Sequence, residues 1–169
     1  MKKKKKLYIY ILIVIALFGT IFFLNQSNKN ELYDKPVSDL NPATRAILDD
    51  PNYQNIILPA ELESKVDSNE GSFVYFFASD CGFCAQTTPV LMPLAEDLGI
   101  DLPQFNLREF EDHFRKYAIN YTPTLAYFKD GVEVARLEGG ISTNGSSGYT
   151  EQNYIDFFNE HGGQGAAAQ

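Results

Sequence analysis

The stretch "SFVYFFASDCGFC", residues 72–84, decides how the rest of the chain is read. Ser72 to Ser79 is almost all β-branched or aromatic, and apolar and polar residues do not alternate in it. That run is too short for a helix between its turn signals and predicts a strand buried on both faces. The chain's two cysteines, Cys81 and Cys84, follow three positions apart, at the mouth of a predicted helix. Such a pair is a redox switch, half of a metal site, or a structural staple. Residues three apart share a helix face, so the two sulfurs can meet where the helix begins. The unpaired N–H groups and partial positive charge of a helix N-terminus stabilise a thiolate at Cys81. Cys81, at the exposed tip, is then the attacking sulfur, and Cys84, one turn inward, resolves the mixed disulfide.

The rival readings are weaker. A zinc site needs about four ligands, and the only histidines, His113 and His161, are far apart in sequence, with His113 amid charged neighbours and read as solvated. No metal and no cofactor is expected. A structural disulfide over so small a loop would constrain the unfolded chain little.

Outward from the pair, residues 81–98 predict a helix with Val90, Leu91, Leu94 and Leu98 on its apolar side and Gly99 at its end. Pro89 and Pro93 lie inside it and are expected to bend or break it. Residues 100–107 predict a strand, and 109–119 a helix with Phe110, Phe114 and Tyr117 along one stripe. "TLAYF" (124–128) and "VEVARLEG" (132–139) are strands joined by a "KDG" hairpin turn. "TNGSSGY" (143–149) is a loop, and Thr150 caps a last helix over 151–161 that packs through Tyr154, Phe157 and Phe158. Upstream, "NIIL" (55–58) is a candidate strand, 59–71 a helix ended by Gly71, and 41–51 a short helix capped by Asn41. These elements order into an α/β fold, a central mixed sheet flanked by helices.

Five lysines, Lys2 to Lys6, precede eighteen uncharged residues, Leu7 to Leu24. At 1.5 Å each these extend about 27 Å, close to a bilayer's roughly 30 Å core. A cleaved signal peptide would have a shorter apolar run ending in small residues, whereas this one ends "GTIFFLNQ". The reading is therefore an uncleaved transmembrane signal anchor, with lysines cytoplasmic and the remainder outside the cell membrane, where disulfides persist. The expected divisions are a basic head and anchor (1–24), a tether with a short helix (25–52), one folded domain (53–161) and a disordered tail (162–169). Of 14 Lys and Arg, five lie in the basic block, which leaves nine against 22 Asp and Glu and a net charge of −13 beyond it. So acidic a body argues against nucleic acid as a partner.

The motifs together resemble a known family. "FVYFFASDCGFC" is similar to the strand and active-site turn of thioredoxins, Pro89 falls at that family's helix-kinking proline, and "YAINYTPTLAYFKDGVEVARLEGG" resembles the segment running through its cis-proline into the terminal hairpin. The similarity covers roughly residues 53–160. With the basic anchor, the whole looks like the membrane-tethered thiol-disulfide oxidoreductases of Gram-positive cell envelopes. The resemblance implies a thioredoxin fold and a cis peptide at Thr122-Pro123. It also implies a substrate groove in which the backbone of Thr122 pairs with an extended peptide. Phe83 and Tyr121 are expected to give apolar contact there. Protein thiols or disulfides would be the substrates, and a redox partner protein is implied.

Three departures bear on redox direction. The family's buried aspartate and its lysine partner are replaced by Tyr75 and Gln104, the tryptophan before the first cysteine by Asp80, and the usual Gly-Pro by Gly82-Phe83. A helix terminus or surface charge contributes about 0.3 to 1 kcal/mol. About 7 kcal/mol separates a reducing thioredoxin from a strong oxidant, so these changes leave the direction open. The alternative to an enzyme is a non-enzymatic thioredoxin-like binding module or secretion accessory protein using the same groove.

Overall fold

The computed structural model describes residues 2–27, 29–142 and 147–162. The chain divides into two compact units, Met1–Leu40 and Asn41–Gln169. In the first, helix α1 runs over Lys2–Ser27, followed by a two-residue hairpin of β1 (Lys29–Asn30) and β2 (Lys35–Pro36). Both strands lie within the 25–52 stretch expected to be a tether with a short helix.

The transmembrane anchor expected at residues 7–24 is overturned. Among the described residues no helix is long and apolar enough to cross a membrane. The uncharged stretch Leu7 to Leu24 extends about 27 Å as a helix, below the roughly 30 Å of a bilayer core. The expected location outside a membrane rested on that anchor.

The second unit is built on a four-stranded sheet in the order β4-β3-β5-β6. β3 (Ser72–Phe77) lies parallel to β4 (Gln104–Asn106) and antiparallel to β5 (Thr124–Lys129), which pairs antiparallel with β6 (Val132–Glu138). The helices are α2 (Pro42–Arg45), α3 (Pro59–Val66), α4 (Gly82–Asp97), α5 (Asp112–Lys116) and α6 (Glu151–His161). Of "NIIL" only one bridge forms, Ile56 to Gln104.

Alternation along β3 sorts the core. Phe73, Tyr75 and Phe77 share one cluster with Leu91 and Ala95 of α4 and with Tyr154, Phe157 and Phe158 of α6. Val74 and Phe76 point the other way, into a cluster with Leu62 and Val66 of α3 and Phe105 of β4, against which Phe110, Phe114 and Tyr117 pack. A strand covered on both faces has no solvent side, so it reads as a continuous apolar run. Burying each such aromatic contributes about 1.5–3 kcal/mol relative to exposure. His113 is not the solvated residue expected; its ring packs 5.0 Å from that of Phe105.

Caps fix the helices. Pro59 starts α3, where the Leu58 N–H donates to the Glu61 carboxylate at 2.7 Å. At α6 the Thr150 hydroxyl accepts from the Asn153 N–H while the Asn153 side chain accepts from the Thr150 N–H. α4 does not break at its prolines and runs as one 16-residue helix through Pro89 and Pro93. Of the loop expected at 143–149, residues 143–146 lie outside the described residues, as does 163–169 of the expected tail.

Candidate active site

β3 ends at Phe77, and three residues, Ala78 to Asp80, bring the chain to Cys81, the N-cap of α4. The Cys81 backbone is extended (φ −89°, ψ 119°), which turns its sulfur over the first helical turn. There the Cys84 N–H donates to Cys81 Sγ at 3.3 Å. A sulfur thus takes the place usually filled by a serine or aspartate oxygen at a helix cap. Cys81 is half-buried and Cys84 is buried, and neither is in a disulfide.

These contacts separate the two thiols. The Cys81 thiol is pulled down from its ordinary value to about 5. A hydrogen bond from the Cys84 thiol is the largest cause; burial opposes it, and the Thr122 hydroxyl and the N–H groups of Cys84 and Phe83 add to the lowering. Cys84 is pushed up, first because its proton is held by Cys81 and second by burial. The pair therefore shares one proton at neutral pH, with the negative charge on the outer sulfur.

Beneath Cys84 lie phenols and hydroxyls. The Tyr75 hydroxyl is 3.1 Å from Thr88 Oγ1, which donates to the Cys84 carbonyl at 2.8 Å. With its proton so placed, Thr88 accepts from Tyr75. Tyr53 reaches the same threonine, and burial raises both phenols above their ordinary range. Tyr75 and Gln104 are direct neighbours across β3 and β4. Gln104 Nε2 donates to the Asn52 carbonyl at 2.8 Å, and its Oε1 is buried with no partner among the described residues.

Asp80, next to the attacking sulfur, does not stand alone. Arg108 Nε lies 3.1 Å from its carboxylate and also pairs with Glu111 at 2.7 Å. Pairing offsets part of the repulsion Asp80 would exert on a Cys81 thiolate, though exposed pairs of this kind contribute only about 0–1 kcal/mol.

The facing loop carries Thr122-Pro123 with a cis peptide bond. Cys81 Sγ lies 3.3 Å from the Thr122 carbonyl oxygen, and the Pro123 carbonyl accepts from Gly139 N–H at 2.8 Å. Phe83 and Tyr121 flank this contact with 61% and 69% of their surfaces exposed, so neither is a core packing residue. The structure thus gathers Cys81, Cys84, Phe83, Tyr121, Thr122 and Pro123 at one end of the sheet. Sequence reading missed Tyr53, Thr88, Arg108, Glu138 and Tyr149, of which all but Thr88 come to the site from segments distant in sequence. Only Thr88, four residues after Cys84 on the same helix face, carried a local signal.

Comparison with known proteins agrees with this geometry. The family profile described as Thioredoxin matches residues 54–147. A thioredoxin of Chlamydia pneumoniae is 42% identical over 67 residues, 39% of this chain and 66% of that protein. One of Staphylococcus aureus is 35% identical over 85 residues, 49% of this chain and 81% of that protein. The match thus spans just under two thirds of the chlamydial protein's length. Among solved structures, Fasciola hepatica thioredoxin superposes with a TM-score of 0.50 at 26% identity, over 60% of this chain and 92% of that one. The thioredoxin of Malassezia sympodialis superposes with a TM-score of 0.54 at 16% identity, over 64% of this chain and 90% of that one, which is a likeness of fold.

Proposed function

The chain belongs to the thioredoxin family, and from that premise we propose that it is a protein thiol-disulfide oxidoreductase working through Cys81 and Cys84. The observation that carries this reading is the Cys81 sulfur at the N-cap of α4, hydrogen-bonded by the Cys84 N–H and facing the Thr122 carbonyl. In the reducing direction the Cys81 thiolate attacks one sulfur of a substrate disulfide. A bond forms from Cys81 to that sulfur, and the second substrate sulfur leaves with the electron pair. Cys84, as thiolate, then attacks Cys81 Sγ, the first substrate sulfur leaves, and the enzyme pair is oxidised by the two electrons the substrate has gained. The opposite direction runs the same steps backwards. A redox partner protein restores the pair in either case.

Trapping tests this directly. Cys84→Ser is expected to accumulate mixed disulfides joined to Cys81, seen on non-reducing gels, while Cys81→Ser forms none and loses exchange activity. Equal exchange by wild type and Cys81→Ser is the result against the proposal. A chain that keeps its partners after both cysteines are replaced is a binding module instead.

A further inference from the structure

A cleft of about 440 Å³ opens beside the reacting sulfur, lined by Phe83, Tyr121, Thr122, Glu138, Gly139 and Tyr149 among others. Its position is set by the Thr122 carbonyl, 3.3 Å from Cys81 Sγ. Its far wall is anchored to α4. The Thr87 hydroxyl accepts from Ile141 N–H at 3.0 Å and donates to the Phe83 carbonyl at 2.8 Å. Gly140 fits so closely that a Cβ there would meet Thr87 Oγ1 at 2.6 Å. Tyr149 is tied to the same wall by its N–H to the Gly140 carbonyl at 3.0 Å and by accepting from Ser142 N–H at 2.7 Å. Its ring meets Tyr154 edge-on at 6.0 Å.

Glu138 is the charged member of this lining. Its carboxylate accepts from Asn120 N–H at 3.2 Å and lies 3.8 Å from Arg136 Nη1. That arginine is committed elsewhere, to Glu133 at 2.6 Å and to the carbonyls of Tyr117 and Ala118. A peptide laid over the cleft would strip water from a carboxylate whose charge is only partly offset, which is unfavourable unless the peptide brings a cation. The rings of Phe83, Tyr121 and Tyr149 line the cleft, and an aromatic ring attracts the same kind of group over its face. The acidic body repels anionic segments as well.

We propose that this cleft selects extended protein segments bearing a lysine or arginine beside the reacting cysteine. The inference rests on the exchange reading for its chemistry but not for its recognition. Cation–π contact and a partly exposed ion pair together give about a tenfold preference. Disulfide-linked peptides identical but for lysine or glutamate next to the cysteine are to be compared by kcat/KM at 20 mM and 500 mM salt. The lysine peptide is expected to react about tenfold faster at low salt. That ratio is expected to fall at high salt, and to below about threefold in Glu138→Gln. Equal rates, or a preference untouched by both salt and Glu138→Gln, overturn the proposal. NMR titration of cysteine-free versions of the peptides into Cys81→Ser protein reads recognition without chemistry. A lysine preference there upholds the cleft proposal even if exchange fails, and no preference there overturns it even if exchange proceeds.

Discussion

Between pH 6 and pH 8, the rate at which Cys84 resolves a mixed disulfide on Cys81 is expected to rise about tenfold per pH unit, about a hundredfold in all, with no plateau. The reason is the lack of a base. Cys84 must lose its proton before it attacks, and its thiol is held up by its bond to Cys81 and by burial. In the mixed disulfide the first cause is gone but burial remains. Among the described residues, the side chains that act on Cys84 include Cys81, Thr122, Tyr53, Tyr75 and Tyr154, and the Thr122 hydroxyl is no base. All three phenols are raised by burial and none accepts a proton near neutral pH. The thiolate fraction then follows hydroxide concentration. Stopped-flow measurement of the resolving step should show a straight line of unit slope, the same in Tyr75→Phe. An inflection in the wild type would mean that a protein group serves as base. A slope altered by Tyr75→Phe would identify Tyr75 as that group.

The second large effect is on the reduction potential. At pH 7 a Cys81 thiol with a value of about 5 is ionised about a hundred to one, whereas an ordinary cysteine is almost wholly protonated. Ionisation stabilises the reduced pair by that factor, which for two electrons raises the potential by at most about 60 mV. Solvent screening of a half-exposed sulfur makes this an upper bound. The sign favours electron acceptance, and the size is well below the roughly 150 mV between a reducing thioredoxin and a strong oxidant. The pH dependence shows the same ionisation. Below pH 5 reduction takes up two protons, and the potential should fall by about 59 mV per pH unit; above pH 5 it takes up one, and the slope should halve to about 30 mV. Voltammetry from pH 4 to pH 8 checks this. A slope of about 59 mV per unit persisting to pH 8 would show that neither thiol ionises in that range.

What could be read from the chain depended on whether local pattern or distant pairing set each feature. β3 was legible because burial on both faces leaves a continuous run such as Phe73 to Phe77. The cysteine pair was legible because three residues in sequence are also neighbours on a helix. The neighbourhood of Tyr75 and Gln104 came from the family resemblance, and the sheet register agrees with it. Arg108 on Asp80, 28 positions apart, left no trace in periodicity, nor did Glu138 and Tyr149 beside Phe83. α4 runs on through its prolines, with Leu91 and Ala95 packed in the core between and beyond them. The N-terminal helix was foreseen, but the membrane span that its apolar length suggested is not found among the described residues.

The most direct test is the ionisation of Cys81 in the intact reduced protein. Iodoacetamide reacts with thiolates, Cys84 is buried, and mass spectrometry locates the adduct, so the rate of alkylation at Cys81 from pH 4 to pH 9 traces that one sulfur. The geometry at the head of α4 predicts a midpoint near 5. A midpoint at the free-cysteine value of about 8.5 would contradict it.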